Sequence, residues 1–78
     1  MEPLEAAVAV LRDAAEPLHW TVIQDRALRG GLIDPFVVAD VRSLLLQALR
    51  EGVRDGVLVR VGRGVYALGD AAAGPDER

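Results

Sequence analysis

The sequence predicts an α+β fold in which three helices precede a C-terminal β-hairpin. Three observations support this prediction. Apolar residues recur at helical spacing over residues 3–15. Proline or glycine bounds two further apolar stretches, at residues 21–31 and 34–52, as expected where helices begin and end. Two valine-rich runs then flank a Gly-Arg-Gly tripeptide at residues 62–64, which is typical of a hairpin.

The length of the chain allows one domain with a small core, since it has 78 residues. It contains no cysteine, which excludes disulfides and zinc sites built on thiolates. No apolar run approaches the ~20 residues of a membrane-spanning helix, and the acidic start MEPLEAA does not resemble a secretory signal. We therefore expect a cytoplasmic domain over residues 1–69, followed at residues 70–78 by a flexible acidic tail or linker.

The first predicted helix covers residues 3–15. Pro3 suits its first position, where a backbone N–H would have no helical partner. Glu16-Pro17 ends it, because the residue before a proline avoids the helical region. The Leu-His-Trp sequence at residues 18–20 is too short for a helix and predicts a brief extended strand.

The second predicted helix covers residues 21–31. Thr21 is the expected N-cap, and Gln24, three residues later, completes a capping box. Gly30-Gly31 supplies the C-terminal stop.

The third predicted helix, residues 34–52, is the longest. Asp34 is its expected cap, Pro35 lies in its first turn and Gly52 ends it. The predicted polar face comprises Asp40, Ser43, Gln47 and Arg50, and the opposite face comprises Val41, Leu44, Leu45 and Ala48. Phe36 and Leu46 remain at the edges, and this apolar surplus predicts either a helix buried on several sides or a contact surface.

The hairpin closes the predicted fold. Asp55-Gly56 forms a turn, and the strands are expected at residues 57–61 and 65–68. Such a hairpin is marginal alone and has to pack on the helices. With residues 18–20 as a third strand, the arrangement is a winged helix-turn-helix, in which the hairpin is the wing.

The net charge of −3 argues against a simple nucleic-acid binder, which usually has a basic excess. Its distribution is uneven, however. Residues 1–25 carry −4, residues 26–63 carry +3 and residues 64–78 carry −2. The mildly basic middle of the chain therefore keeps a DNA-binding function open.

Three segments of the sequence resemble the HARE-type helix-turn-helix domains. The Pro-Leu-His-aromatic segment of that family is matched by Pro17, Leu18, His19 and Trp20. Its Gly-Leu-Ile segment is matched by Gly31, Leu32 and Ile33. The hairpin gives the most specific match, through Val59, Arg60, Val61, Gly62, Gly64, Val65, Tyr66, Ala67 and Leu68. The resemblance covers residues 4–69.

This resemblance implies a winged-helix module attached to larger proteins. The family includes modules of DNA glycosylase-like and restriction-type enzymes, of chromatin regulators and of the delta subunit of bacterial RNA polymerase. Its proposed role there is to contact DNA or to link the state of the DNA to a partner. We therefore expect a bacterial regulatory or DNA-processing setting.

These considerations predict a non-catalytic module that binds double-stranded DNA weakly, mainly through the backbone. The third helix of a helix-turn-helix enters the major groove, where arginine reads guanine and glutamine reads adenine. Arginines of the wing would contact phosphates, which position the protein without reading sequence. The predicted DNA-binding residues are Arg42, Ser43, Gln47, Arg50, Arg54, Arg60 and Arg63.

The alternative is a protein-interaction winged helix without direct DNA contact. It would use the apolar surplus of the third helix to form a homodimer, or to dock on a larger enzyme or on RNA polymerase. Convergence of Arg42, Arg50, Arg54 and Arg63 on one face would favour DNA binding, whereas scatter among acidic residues would favour a protein partner.

An enzyme is the least favoured class. His19 is the only histidine, and the sequence pairs it with no nucleophile or carboxylate. We expect no cofactor, no metal, no membrane contact and no small-molecule substrate.

Overall fold

The computed structural model describes residues 2–37 and 40–70 and confirms the α+β winged helix-turn-helix fold. The elements in chain order are α1 (Pro3–Ala14), β1 (Leu18–His19), α2 (Trp20–Arg29), α3 (Val41–Arg54), β2 (Leu58–Gly62) and β3 (Val65–Leu68). Apart from Asp70, the predicted tail lies outside the described residues.

The ends of α1 agree with the sequence prediction to within one residue. Pro3 occupies the start of the helix, and the N–H of Glu2 donates to Oε1 of Glu5 at 3.3 Å. At the other end Ala15 adopts a left-handed conformation with φ 58°, and its N–H donates to the carbonyl of Leu11 at 2.9 Å. The buried side of α1 comprises Ala6, Ala7, Val10 and Leu11.

The start of α2 corrects the predicted cap. The helix begins at Trp20, and its N-cap is His19, whose Nδ1 accepts the N–H of Thr21 at 3.2 Å. Thr21, the predicted N-cap, is therefore already helical. His19 belongs to β1 and also caps α2, because its extended backbone pairs with Val65 in the sheet while its ring reaches forward to the helix. The predicted stop is confirmed, since the N–H of Gly30 donates to the carbonyl of Arg26 at 2.9 Å.

The start of α3 lies seven residues later than predicted. Asp40, not Asp34, is the N-cap, and its carboxylate accepts the N–H of Ser43 at 3.2 Å. Asp34 instead closes a separate turn, in which its Oδ1 accepts the N–H of Phe36 at 2.9 Å. Either aspartate side chain could cap a helix. The local turn at Asp34-Pro35 keeps Asp34 outside α3, so Asp40 is the cap.

The end of α3 also differs from the prediction, because the helix continues to Arg54. Gly52 is a buried interior residue of the helix. A Cβ at this position would lie 2.9 Å from Cδ1 of Leu4 and 2.9 Å from Cδ1 of Leu58. The absence of a side chain thus lets α1 and the hairpin pack directly against the helix backbone.

The sheet has the strand order β1-β3-β2, and both strand pairs are antiparallel. Tyr66 in the central strand pairs with Leu18 of β1 and with Arg60 of β2. A register shift between Arg60 and Gly62 places a bulge near the tip of the hairpin. β2 begins one residue later than predicted, because the N–H of Val57 donates to the carbonyl of Gly52 in the exit from α3.

The core joins all three helices to the hairpin. Its largest fully buried side chains are Leu11, Ile23, Leu45, Leu49 and Leu58. Leu44, which the helical wheel placed on the apolar face of α3, is 42% exposed, because the buried face is centred on Leu45 and Leu49 instead. No helix in the described part of the chain is long and apolar enough to cross a membrane.

Replacement of Gly69 by alanine should destabilise the fold. A Cβ there would collide with the backbone carbonyl oxygen of Gly56 and lie 3.2 Å from the backbone nitrogen of Leu58. Since backbone atoms cannot rotate away, we expect Gly69→Ala to lower the free energy of unfolding by about 1–3 kcal/mol. Urea denaturation followed by circular dichroism measures the loss.

The matched control is Gly62→Ala in the same hairpin. Its Cβ would approach nothing closer than Cβ of Val65 at 3.6 Å, an ordinary contact. We expect a change within about 0.5 kcal/mol. Equal losses for the two variants would contradict the close approach at Gly69.

Candidate nucleic-acid interface

The outer face of α3 carries four of the seven predicted site residues. At about 100° per residue, these four side chains fall within an arc of about 60°. All are exposed, and the buried residues of α3 lie on the opposite side. The four residues are Ser43, Gln47, Arg50 and Arg54. This face presents hydrogen-bond donors along a length of about 16 Å.

The hairpin lies beside one flank of α3 and brings a second arginine to it. Arg50 and Val53 of α3 line one surface hollow of about 260 Å³ together with Arg60 and Tyr66 of the hairpin. Tyr66 is 8% exposed and belongs to the core, so it gives this hollow a rigid wall. Arg60 is held near its own strand, because its Nε donates to the carbonyl of Gly62 at 3.3 Å. Two cations from different elements thus border the same hollow.

The first turn of α3 contributes Arg42 to the same side of the helix. Its guanidinium carbon lies 5.6 Å from the ring centroid of Trp20, at the start of α2. This is a cation–π contact, worth about 0.5–1 kcal/mol at an exposed site.

The tip of the hairpin reaches the same tryptophan. The N–H of Trp20 donates to the carbonyl of Gly64 at 2.9 Å. Gly64 has a φ of +70°, and a Cβ on it would lie 2.8 Å from Nε2 of His19, so the position requires glycine. Arg63, exposed and adjacent in sequence, therefore sits where the wing meets the start of α2.

Arg50 and Arg60 thus border one hollow between α3 and the hairpin, Arg42 lies over Trp20 at the start of α2, and Arg63 is adjacent in sequence to Gly64, which contacts Trp20. We call these four arginines the arginine seam. The acidic N-cap Asp40 lies close to Arg42, whereas the one acidic residue within α3, Glu51, lies on the other flank. Glu51 is about 100° around the helix from Arg50, on the side away from the wing, and accepts from Nε2 of Gln47 at 3.4 Å.

Three other arginines, Arg26, Arg29 and Arg54, lie outside the seam. Arg54, at the end of α3, pairs with Asp55, with Nε and Oδ1 3.6 Å apart. On α2, Arg29 pairs with Asp25 at 3.2 Å, and both side chains are largely exposed. Arg26 lines a different hollow, between α1 and the end of α2. Arg54, one of the four arginines expected to converge, thus pairs with an acidic neighbour, while Arg60, which was not among the four, borders the hollow of Arg50.

The side chain of His19 is used in capping α2 and in packing against the wing turn. Its Nδ1 caps α2 and lies 2.8 Å from Oγ1 of Thr21, and the other side of its ring packs against Gly64. The described residues contain no cluster of three histidine, cysteine or acidic side chains that could hold a metal ion.

Sequence reasoning missed two features of this interface. One is the contact between Trp20 and Arg42. The other is the pairing of Arg50 with Arg60 across two elements, since residues ten apart share a hollow only after the hairpin has packed. Neither feature has a local sequence signature.

Comparisons of the chain with models of known protein families, with curated protein sequences and with solved structures found no match. The likeness to the HARE-type domains is therefore a resemblance of the quoted sequence segments.

Acid titration should reveal the capping role of Asp40. The N–H of Ser43 donates to its carboxylate and, with a smaller contribution from Arg42, lowers the pKa of Asp40. A lowered pKa in the folded state gives stability that is present above the unfolded pKa and is lost as the pH falls through the folded value. The loss should therefore occur below the ordinary aspartate pKa of about 3.9.

The variant Asp40→Asn separates this titration from the cap itself. Asparagine keeps an oxygen acceptor of similar capping strength and removes the ionisable group. The stability difference between wild type and variant, measured by urea denaturation across the acidic range, should shrink as the pH falls below the aspartate pKa. A difference that stays constant with pH would contradict the assigned contact.

Proposed function

We propose that this chain is a non-catalytic winged-helix module that binds double-stranded DNA, mainly through the phosphate backbone. The observation that carries the proposal is the hollow shared by Arg50 of α3 and Arg60 of the hairpin. Two arginines from separate elements at one surface position suit a phosphate, which accepts charge-assisted hydrogen bonds from more than one donor.

The outer face of α3 supports the same proposal. The major groove of B-DNA is about 12 Å wide and admits one helix. A helix-turn-helix motif places its second helix there, and in this chain that helix is α3. Ser43 and Gln47 are exposed in the N-terminal half of this face. In the groove they would meet base edges while the arginine seam meets the backbone on the side of the wing.

The charge of the chain sets the expected strength of binding. A net charge of −3 repels DNA at long range, whereas the seam attracts it locally. We expect weak binding with about two to four phosphate contacts, and hence a steep loss of affinity with salt.

The biological setting is proposed from the sequence resemblance. The Pro-Leu-His-Trp segment and the hairpin support membership of the HARE-type helix-turn-helix domains. On that basis we propose a cytoplasmic bacterial protein that regulates transcription or targets a DNA-processing activity.

The test is fluorescence anisotropy of a labelled duplex titrated with the chain between about 50 and 200 mM salt. The logarithm of the affinity should fall with the logarithm of salt, with a slope of about −0.9 per phosphate contacted. Arg50→Ala and Arg60→Ala should each reduce the magnitude of that slope by about one.

The matched control is Arg12→Ala, which removes the same charge from α1. Arg12 lines a hollow with Leu4, Val8 and Val57, separate from the arginine seam. The variant Arg12→Ala should leave the salt slope unchanged. Absence of binding by the wild-type chain at about 100 μM in low salt would exclude the proposed function.

A second candidate function, protein interaction, is favoured by the apolar residues that remain exposed. Phe36 is 96% exposed and Val37 is 78% exposed, in the segment that precedes α3. Large aromatic side chains in this state are more typical of interaction surfaces than of solvated loops. If the partner is a second copy of the chain, Phe36 would lie between the two copies.

Sedimentation velocity over a concentration series tests the homodimer. If Phe36 lies in a dimer interface, the wild-type chain should sediment faster at high concentration and Phe36→Ser should remain monomeric. A wild-type chain that stays monomeric at about 100 μM would exclude a dimer tighter than that concentration.

A further inference from the structure

Trp20 contacts Arg42 of the arginine seam and Gly64 of the wing turn. Its backbone N–H is bonded to Gly64 of the wing turn, and a Cβ on Gly64 would lie 3.2 Å from Cδ1 of its indole. The guanidinium of Arg42 lies over the same indole at 5.6 Å. One partly buried ring therefore touches the wing turn that carries Arg63 and supports an arginine of α3.

The ring limits the freedom of Arg42 before any ligand arrives. A long arginine side chain loses rotamer freedom when it binds, and that loss weakens binding unless the side chain is already ordered. The face of an indole attracts a guanidinium through its quadrupole. The neighbouring carboxylate of Asp40 accepts the N–H of Ser43 at 3.2 Å and also attracts Arg42, so the indole is one of two groups that favour the guanidinium here.

We propose that Trp20 is a positioning residue that holds the Arg42 guanidinium beside the wing turn, so that Arg42 and Arg63 bind the same stretch of DNA backbone. The inference rests on the proposed DNA-binding function and adds a role that neither arginine has alone. The first turn of α3 and the tip of the wing then contact DNA as one unit, because both are fixed to the same ring.

The experiment uses the anisotropy salt series with variants at both positions. Arg42→Ala should reduce the magnitude of the salt slope by about one, since it removes one phosphate contact. Trp20→Leu should reduce the slope by a similar amount although it removes no charge. The salt slope of the double variant should equal that of either single variant, because the two residues form one contact. Trp20→Phe keeps an aromatic face and should restore most of the slope.

A structural role for Trp20 would give a different result. A variant that only destabilises the fold lowers the fraction of folded protein and hence the apparent affinity, but it leaves the salt slope of the folded molecules unchanged. An unchanged slope in Trp20→Leu would overturn the proposal, as would a double variant whose slope falls by a further unit. Circular dichroism at each salt concentration verifies that the variants are folded.

A measurement on the intact ring covers the case in which Trp20→Leu does not fold. Trp20 is the only tryptophan, so its indole N–H gives a single NMR resonance. That resonance should move on Arg42→Ala and should also move when duplex is added to the wild-type chain. If it moves in neither experiment, the positioning role is wrong even though DNA binds. If the wild-type chain does not bind duplex at all, the proposed function fails and this inference fails with it.

Discussion

The close approach of α3 to the hairpin is the interaction on which the rest of the structure depends. It occurs at Gly52, where the helix backbone meets the buried side chain of Leu58 and the partly buried side chain of Leu4. A side chain at Gly52 would have to displace both leucines. With no side chain there, β2 leaves α3 through a tight turn and runs back along it, and this antiparallel course sets Arg60 beside Arg50. The arginine seam is thus a consequence of packing, although its members are all exposed.

The charge pattern follows from the same packing. The chain is acidic overall, with a net charge of −3, yet the two flanks of α3 differ in charge. One flank and the wing carry arginines, while Glu51 lies on the other flank and lines a hollow with Gln47 and with Glu2, the N-cap of α1. An acidic total charge therefore does not exclude a locally basic surface, since screening limits each interaction to about 10 Å at ordinary salt.

The sequence predicted the elements of the fold better than their boundaries. Helical spacing and valine alternation are local, so α1, β3 and the overall order could be derived from them. The caps could not, because Asp34 and Asp40 are equivalent by chemistry and only the turn at Asp34-Pro35 decides between them. The cap of α2 depends on the pairing of His19 with Val65, which are far apart in sequence. The same limit applies to the candidate site. Its exposed face on α3 was predictable, whereas the contacts of Arg42 and Arg60 were not.

The corrected start of α3 changes how Arg42 is understood. With the cap at Asp40, Arg42 falls in the first turn of the helix, where the positive end of the helix dipole disfavours a cation. The carboxylate of the N-cap Asp40 and the indole of Trp20 each offset part of that unfavourable interaction. A phosphate would offset more, because an anion interacts favourably with the guanidinium and with the dipole together. An arginine that the helix dipole disfavours, and that a carboxylate and an aromatic ring hold at the surface, suits the ligand-binding role proposed for it.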